Sequence, residues 1–211
     1  MRGALLNKNQ NQSNATLHET LQKYADYRST TYTLLAEEFF ETENQKISIT
    51  PINAAASGYF VANWENHPQR LVKFDWSGRL LNTLRTSHPK RLELAIWDAQ
   101  NTLCGLVAGR VSNASIWLSV NFLEGNPDPN HPLKGLITPI AMRGAEIYSV
   151  LIADESKGYR PRVRVMNPVK GALASYAEMG YTEVKQNNKV TYLTKPNDGE
   201  NYHVDTDRAN S

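Results

Sequence analysis

The chain has 211 residues, 40 % of them hydrophobic and 21 % charged, with a formal net charge of +2. That length allows one domain with a sizeable core. So small a charge argues against nucleic acid or an anionic membrane as a partner, since such binders concentrate basic charge. A single cysteine, Cys104, excludes an internal disulfide and argues against a cysteine-based metal site.

The opening MRGALLNKNQNQSN lacks the apolar run of about 7–15 residues that a secretory signal needs. No stretch approaches the roughly 18 apolar residues of a membrane span. A cytoplasmic protein without a membrane partner is therefore expected. Residues 1–14 and the tail from 196 to 211 are polar and are expected to be disordered. One domain is left, at residues 15–195.

Residues 16–42 carry a helical pattern, with Leu17, Leu21, Tyr24, Arg28 or Thr31, Leu35 and Phe39 recurring at three- and four-residue steps. Lys46 to Ile52 alternates like a strand, and Pro51 marks an edge or an end. The next stretch, AAASGYFVANW, fits either a strand or irregular structure. Asp75 suits a cap for a helix reaching Thr86, with Leu80, Leu81 and Leu84 inward. From Arg91 the period changes to two. Leu92, Leu94 and Ile96 mark one strand and residues 103–111 a second. Residues 115–123 form a third, with Ile116, Leu118, Val120 and Phe122 on one face. Short links make this an antiparallel meander. After a loop rich in proline and asparagine, Leu136, Ile140, Gly144, Ile147 and Leu151 mark a helix that Gly158 can stop.

Residues 162–183 read as strand, helix and strand. Val163 and Val165 begin the strand. Asn167 suits an N-cap and Pro168 the first helical position. Val169, Leu173, Tyr176 and Ala177 fall on one face, and Gly180 suits the left-handed stop. Arg160, Arg162 and Arg164 alternate, so they project together. They can meet phosphates or an acidic substrate, or pair with Asp154, Glu155 or Glu183. Residues 181–185 and 189–195 then form a hairpin. A strand, a helix and another strand favour parallel pairing through a crossover. The expected class is α/β (α+β): a mixed sheet, splayed at its centre and flanked by helices, with an extra helix at the N-terminus.

That order resembles the GNAT superfamily of acyl-CoA-dependent N-acetyltransferases. The likeness rests on Val165-Met166-Asn167, followed by Ala172-Leu173-Ala174-Ser175-Tyr176-Ala177-Glu178-Met179-Gly180-Tyr181. It covers residues 90–195 best. The family's acyl-CoA pyrophosphate loop corresponds to Pro132-Leu133-Lys134-Gly135-Leu136-Ile137, where only Gly135 matches. Pro132 and Ile137 replace a polar and a small residue.

The resemblance implies acetyl-CoA as acyl donor, no metal, and an amine-bearing acceptor, small molecule or protein. It implies Tyr176 as proton donor to the leaving thiolate, while pattern alone leaves Tyr176 a core aromatic. Lys134, Gly135, Leu136 and Ile137 would hold the phosphates at a helix N-terminus. Asn167 would touch the pantetheine arm or simply cap its helix. Glu124 is the expected base, with Asp128 and His131 as rivals, and each reads equally as a solvated loop residue. The alternative is a non-catalytic binding or regulatory protein on the same fold. The N-terminal helix is read as a docking element or as the seam of a homodimer.

Overall fold

The alternating stretch from Arg91 becomes the centre of a seven-stranded sheet in the computed structural model, which describes residues 2–153, 160–187 and 190–196. The strands are β1 (Ser48–Thr50), β2 (Arg91–Trp97), β3 (Leu103–Val111), β4 (Trp117–Gly125), β5 (Arg162–Met166), β6 (Glu183–Asn187) and β7 (Val190–Thr194). Their spatial order is β1-β2-β3-β4-β5-β7-β6. All neighbours pair antiparallel except β4 and β5, which run parallel. The parallel pair follows from the helix α4 (Ile137–Leu151) between them, because parallel strands need a long crossover. The mixed, helix-flanked sheet is as expected.

Two cores lie on opposite faces. On one, α1 (Arg2–Glu43) and α4 cover Leu92, Leu94, Ile96, Leu118 and Val120. On the other, Trp64 and Trp76 pack with α2 (Ala54–Asn63) and α3 (Arg79–Ser87) over Ala95, Leu106 and Ala108. The helix α1 is docked: Leu35 and Phe39 are buried, Tyr32 donates its hydroxyl to Glu93 O at 2.8 Å, and Glu38 pairs with Arg143 of α4 at 2.7 Å. It starts at Arg2, ahead of residue 16. None of the described helices is long and apolar enough to cross a membrane. Gly158 and the tail beyond residue 196 lie outside the described residues.

The ambiguous AAASGYFVANW is helical. Asn53 Oδ1 accepts from Ala56 N at 3.1 Å, and Ala56 and Phe60 are buried at a spacing of four. The helix α3 starts later than Asp75 suggests, with Gly78 at its N-cap position; Asp75 still accepts from Arg79 N at 2.8 Å, from four residues upstream.

Three further expectations need correction. First, Phe122 does not share a face with Leu118 and Val120. Gly109 pairs with Val120 but Ala108 with Phe122, so Asn121 is an extra residue in β4. Such a bulge reverses the alternation beyond it. Gly109 permits it, since a Cβ there would lie 2.6 Å from Ser119 O. Second, Asn167 caps no helix. It has φ +46°, accepts from Thr191 N through Oδ1 at 3.3 Å and donates its own N–H to Thr191 O at 2.7 Å. Asparagine tolerates this left-handed turn, which closes the β5–β7 ladder. Third, α5 (Leu173–Glu178) begins later, after a 3₁₀ turn at Lys170–Ala172. The late start changes its phase: Tyr176 is buried, while Val169 and Leu173 are exposed. Gly180 does stop it, at φ +83°.

Candidate functional site: the cleft between β4 and β5

Pairing of β4 with β5 runs from Trp117 with Arg162 to Val120 with Val165 and then ends. The bulge at Asn121 bends one strand and the turn at Asn167 redirects the other, so the sheet opens. The opening is a cavity of about 260 Å³. Asn121, Leu123 and Gly125 form one wall, Val165 to Val169 the other, and Gly135, Ile137, Thr138 and Tyr176 close it.

The start of α4 faces this cavity. Gly135 has φ +85°, and nothing lies within 4 Å of where its Cβ would be. The amides of Gly135, Ile137 and Thr138 have no acceptor among the described residues, as befits a helix start. Ile137 carries a β-branched side chain where the resemblance wants a small one. That side chain turns away into the floor, with Cγ2 only 2.8 Å from the Cβ position of Gly105, so two glycines opposite it leave the cleft open. Leu136 adjoins the core behind. Lys134 does not line the cavity; it stands at its outer edge, one residue before Gly135.

Tyr176 is 2 % exposed and lines the cleft. Its hydroxyl has no hydrogen-bond partner among the described residues. Burial pushes its pKa up to about 12, so the phenol keeps its proton at neutral pH. Asn167 must present oxygen to Thr191 N–H, which leaves its Nδ2 hydrogens free for the cleft. The Oδ1 of Asn121 is buried without a partner. His131 also borders the cleft, with Nδ1 buried and unpartnered. Burial holds its pKa below the usual value; Asp128 opposes that and Lys134 adds to it.

A seven-stranded mixed sheet, parallel only between β4 and β5 and splayed there over a helix N-terminus, decides the fold. It is the arrangement that the resemblance to the GNAT superfamily implies. No family model and no curated protein matches the chain in sequence. Solved structures do match in shape. The chain is similar to the dodecameric spermidine N-acetyltransferase of Vibrio cholerae at 16 % identity and TM-score 0.47, over 72 % of this chain and 95 % of that one. An acetyltransferase from Thermus thermophilus matches at 13 % identity and TM-score 0.47, over 71 % and 96 %. Nourseothricin acetyltransferase matches at 16 % identity and TM-score 0.35, over 51 % of this chain and 66 % of that one.

Glu124 does not line this cavity. The bulge sends it to the α2–α3 face, at 4 % exposure. Arg70 reaches its two oxygens at 2.6 and 3.2 Å, and Trp76 Nε1 donates at 2.7 Å. This is a structural ion pair that ties the loop before α3 to the sheet. The alternating arginines divide as well. Arg160 precedes the first paired residue and donates to Ser149 of α4. Arg162 and Arg164 stack on Trp117, and Arg164 also on Tyr192. Asn121 is the site residue that sequence reasoning missed. Its one signal is an amide inside an otherwise apolar alternation.

Proposed function

We propose that the protein is an N-acetyltransferase, binding acetyl-CoA in the β4–β5 cleft and passing its acetyl group to an amine in a ternary complex. The observation that carries this is the convergence on one cavity of free backbone amides at Gly135, Ile137 and Thr138, the spare Nδ2 of Asn167, and the protonated hydroxyl of Tyr176. Gly135, Ile137 and Thr138 bind phosphate through their free N–H groups and the positive end of α4, while the Leu136 N–H is already donated to Leu133 O. Lys134 adds a point charge at the rim. Asn167 Nδ2 donates to an amide carbonyl of the pantetheine arm.

The acceptor nitrogen attacks the thioester carbon. A C–N bond forms, the C–S bond breaks, and the sulfur takes a proton, with Tyr176 as its donor. The nitrogen's surplus proton passes to water. Glu124 is released from the role of base, because its carboxylate is already committed to Arg70 and Trp76. A non-catalytic reading would need Ile137 to plug the cleft, and its side chain points into the floor instead.

The test is thiol release from acetyl-CoA with a panel of primary amines. Release that needs both protein and amine is expected. Release that ignores the amine, or none with any amine, contradicts the reading.

A further inference from the structure

A second cavity, of about 590 Å³, lies on the α3 side of the sheet. It meets the cleft at two shared residues, Phe74 and Asn121. Phe74, in the loop before α3, and Asn121, at the bulge, thus border both spaces.

The chemistry of this cavity is uneven. Phe74, Leu84 and Phe122 make an apolar floor. Lys73, Arg79 and Arg110 stand around it against a single acid, Asp75, so the lining is formally three positive charges to one negative. Asp75 is occupied, accepting from Arg79 N and from the Ser77 hydroxyl. Neither Lys73 nor Arg79 has an ion-pair partner among the described residues. Among the described residues the Arg110 guanidinium hydrogen-bonds to His88, which must accept because a guanidinium can only donate. The positive side continues along the sheet. Arg110 lies in register with Ser119, and Ser119 with Arg164, whose guanidinium donates to the Ser119 hydroxyl.

An amine entering here meets three features in order. A cationic rim attracts an anion and repels a second ammonium. An apolar floor takes a hydrophobic body. Asn121, which borders both spaces, offers its side-chain amide to the N–H between them.

We infer that the acceptor is an amine with an apolar body that also carries a carboxylate, its anion held by Arg110 and Arg79 and its nitrogen aimed by Asn121. This rests on the cleft being the donor site.

The experiment uses phenylalanine, phenethylamine and spermidine with the full-length protein. Direct binding is measured first, by calorimetry without acetyl-CoA. Phenylalanine is expected to bind at least tenfold tighter than phenethylamine, and spermidine weakest. Added salt should erode that preference. Arg110→Gln should remove most of it while leaving acetyl-CoA binding unchanged. The exposed position of Arg110 makes this variant compatible with folding. With acetyl-CoA present, kcat/KM should follow the same order. Equal or tighter binding of phenethylamine or spermidine overturns the inference, as does a preference that survives Arg110→Gln together with Arg79→Gln. Failure of the donor reading shows separately, as absent acetyl-CoA binding with the acceptor preference intact.

Discussion

Replacing Glu124 by glutamine separates a structural carboxylate from a catalytic one. Arg70 is 7 % exposed and Glu124 4 %, so the exchange leaves a guanidinium buried beside a neutral amide. Arg70 keeps its bond to Phe74 O at 2.6 Å and its place over the Phe60 ring, 4.7 Å from the centroid. It cannot swing out to water without giving up both. Removing one partner of a buried pair destabilises by about 3–5 kcal/mol. For a domain of this size each kcal/mol lowers Tm by about 2–4 °C, so a fall of roughly 6–20 °C is expected. Calorimetry or a dye-based melt reads it directly. Turnover is then measured well below the lowered Tm, where the variant is folded. It should stay within a few-fold of wild type. A general base would instead lose roughly 10²–10⁴ in kcat. An unchanged Tm with abolished turnover would refute the structural assignment and restore Glu124 as the base.

Tyr176→Phe should lower kcat while acetyl-CoA binding stays within a few-fold, because the exchange removes only the hydroxyl and keeps the buried ring; an unchanged kcat removes the proton-donor role. Burial raises Tyr176, and Tyr148 behind it, from near 10 to about 12. Between those values the unfolded chain has released protons that the fold retains. Stability is therefore full below pH 10 and declines from about pH 10 to about 12. Melting curves across that window should show a falling Tm, and a flat profile contradicts it. Leu35→Ala should destabilise by about 2–5 kcal/mol, since this α1 side chain is fully buried against α4 and β2. Denaturant unfolding checks it, and a change under 1 kcal/mol would make α1 an appendage.

Local signals carried much of the fold. The β2–β4 meander follows from alternation and the helix stop from Gly180. What escaped depends on distant partners. Asn167 suits both a helix cap and a left-handed turn; Thr191, on β7, chooses the turn. Ala54–Asn63 is helical because Ala56 and Phe60 find a core made largely by Trp64, Trp76 and β3. Its own residues do not announce that. The bulge at Asn121 turns on Gly109 of the neighbouring strand, and it alone moves Glu124 to the far face. Glu124 at a strand end reads as an active-site acid until Arg70, 54 residues earlier, is seen across from it. In the cleft, Tyr176 and Gly135 were legible as types at given places. The turn of Ile137 into the floor was not, because it needs the two glycines, Gly105 and Gly125, that receive it.

The central claim is that the β4–β5 cleft is an acyl-CoA site built on Gly135. Isothermal titration with acetyl-CoA tests it most directly, on wild type and on Gly135→Val. Wild type should bind one equivalent and melt at a higher temperature as ligand is added. Gly135→Val should lose at least tenfold in affinity, because valine both strains the backbone at φ +85° and fills the open approach to the free amides. Equal binding by both proteins, or no heat and no rise in Tm at ligand concentrations far above micromolar, would contradict the account.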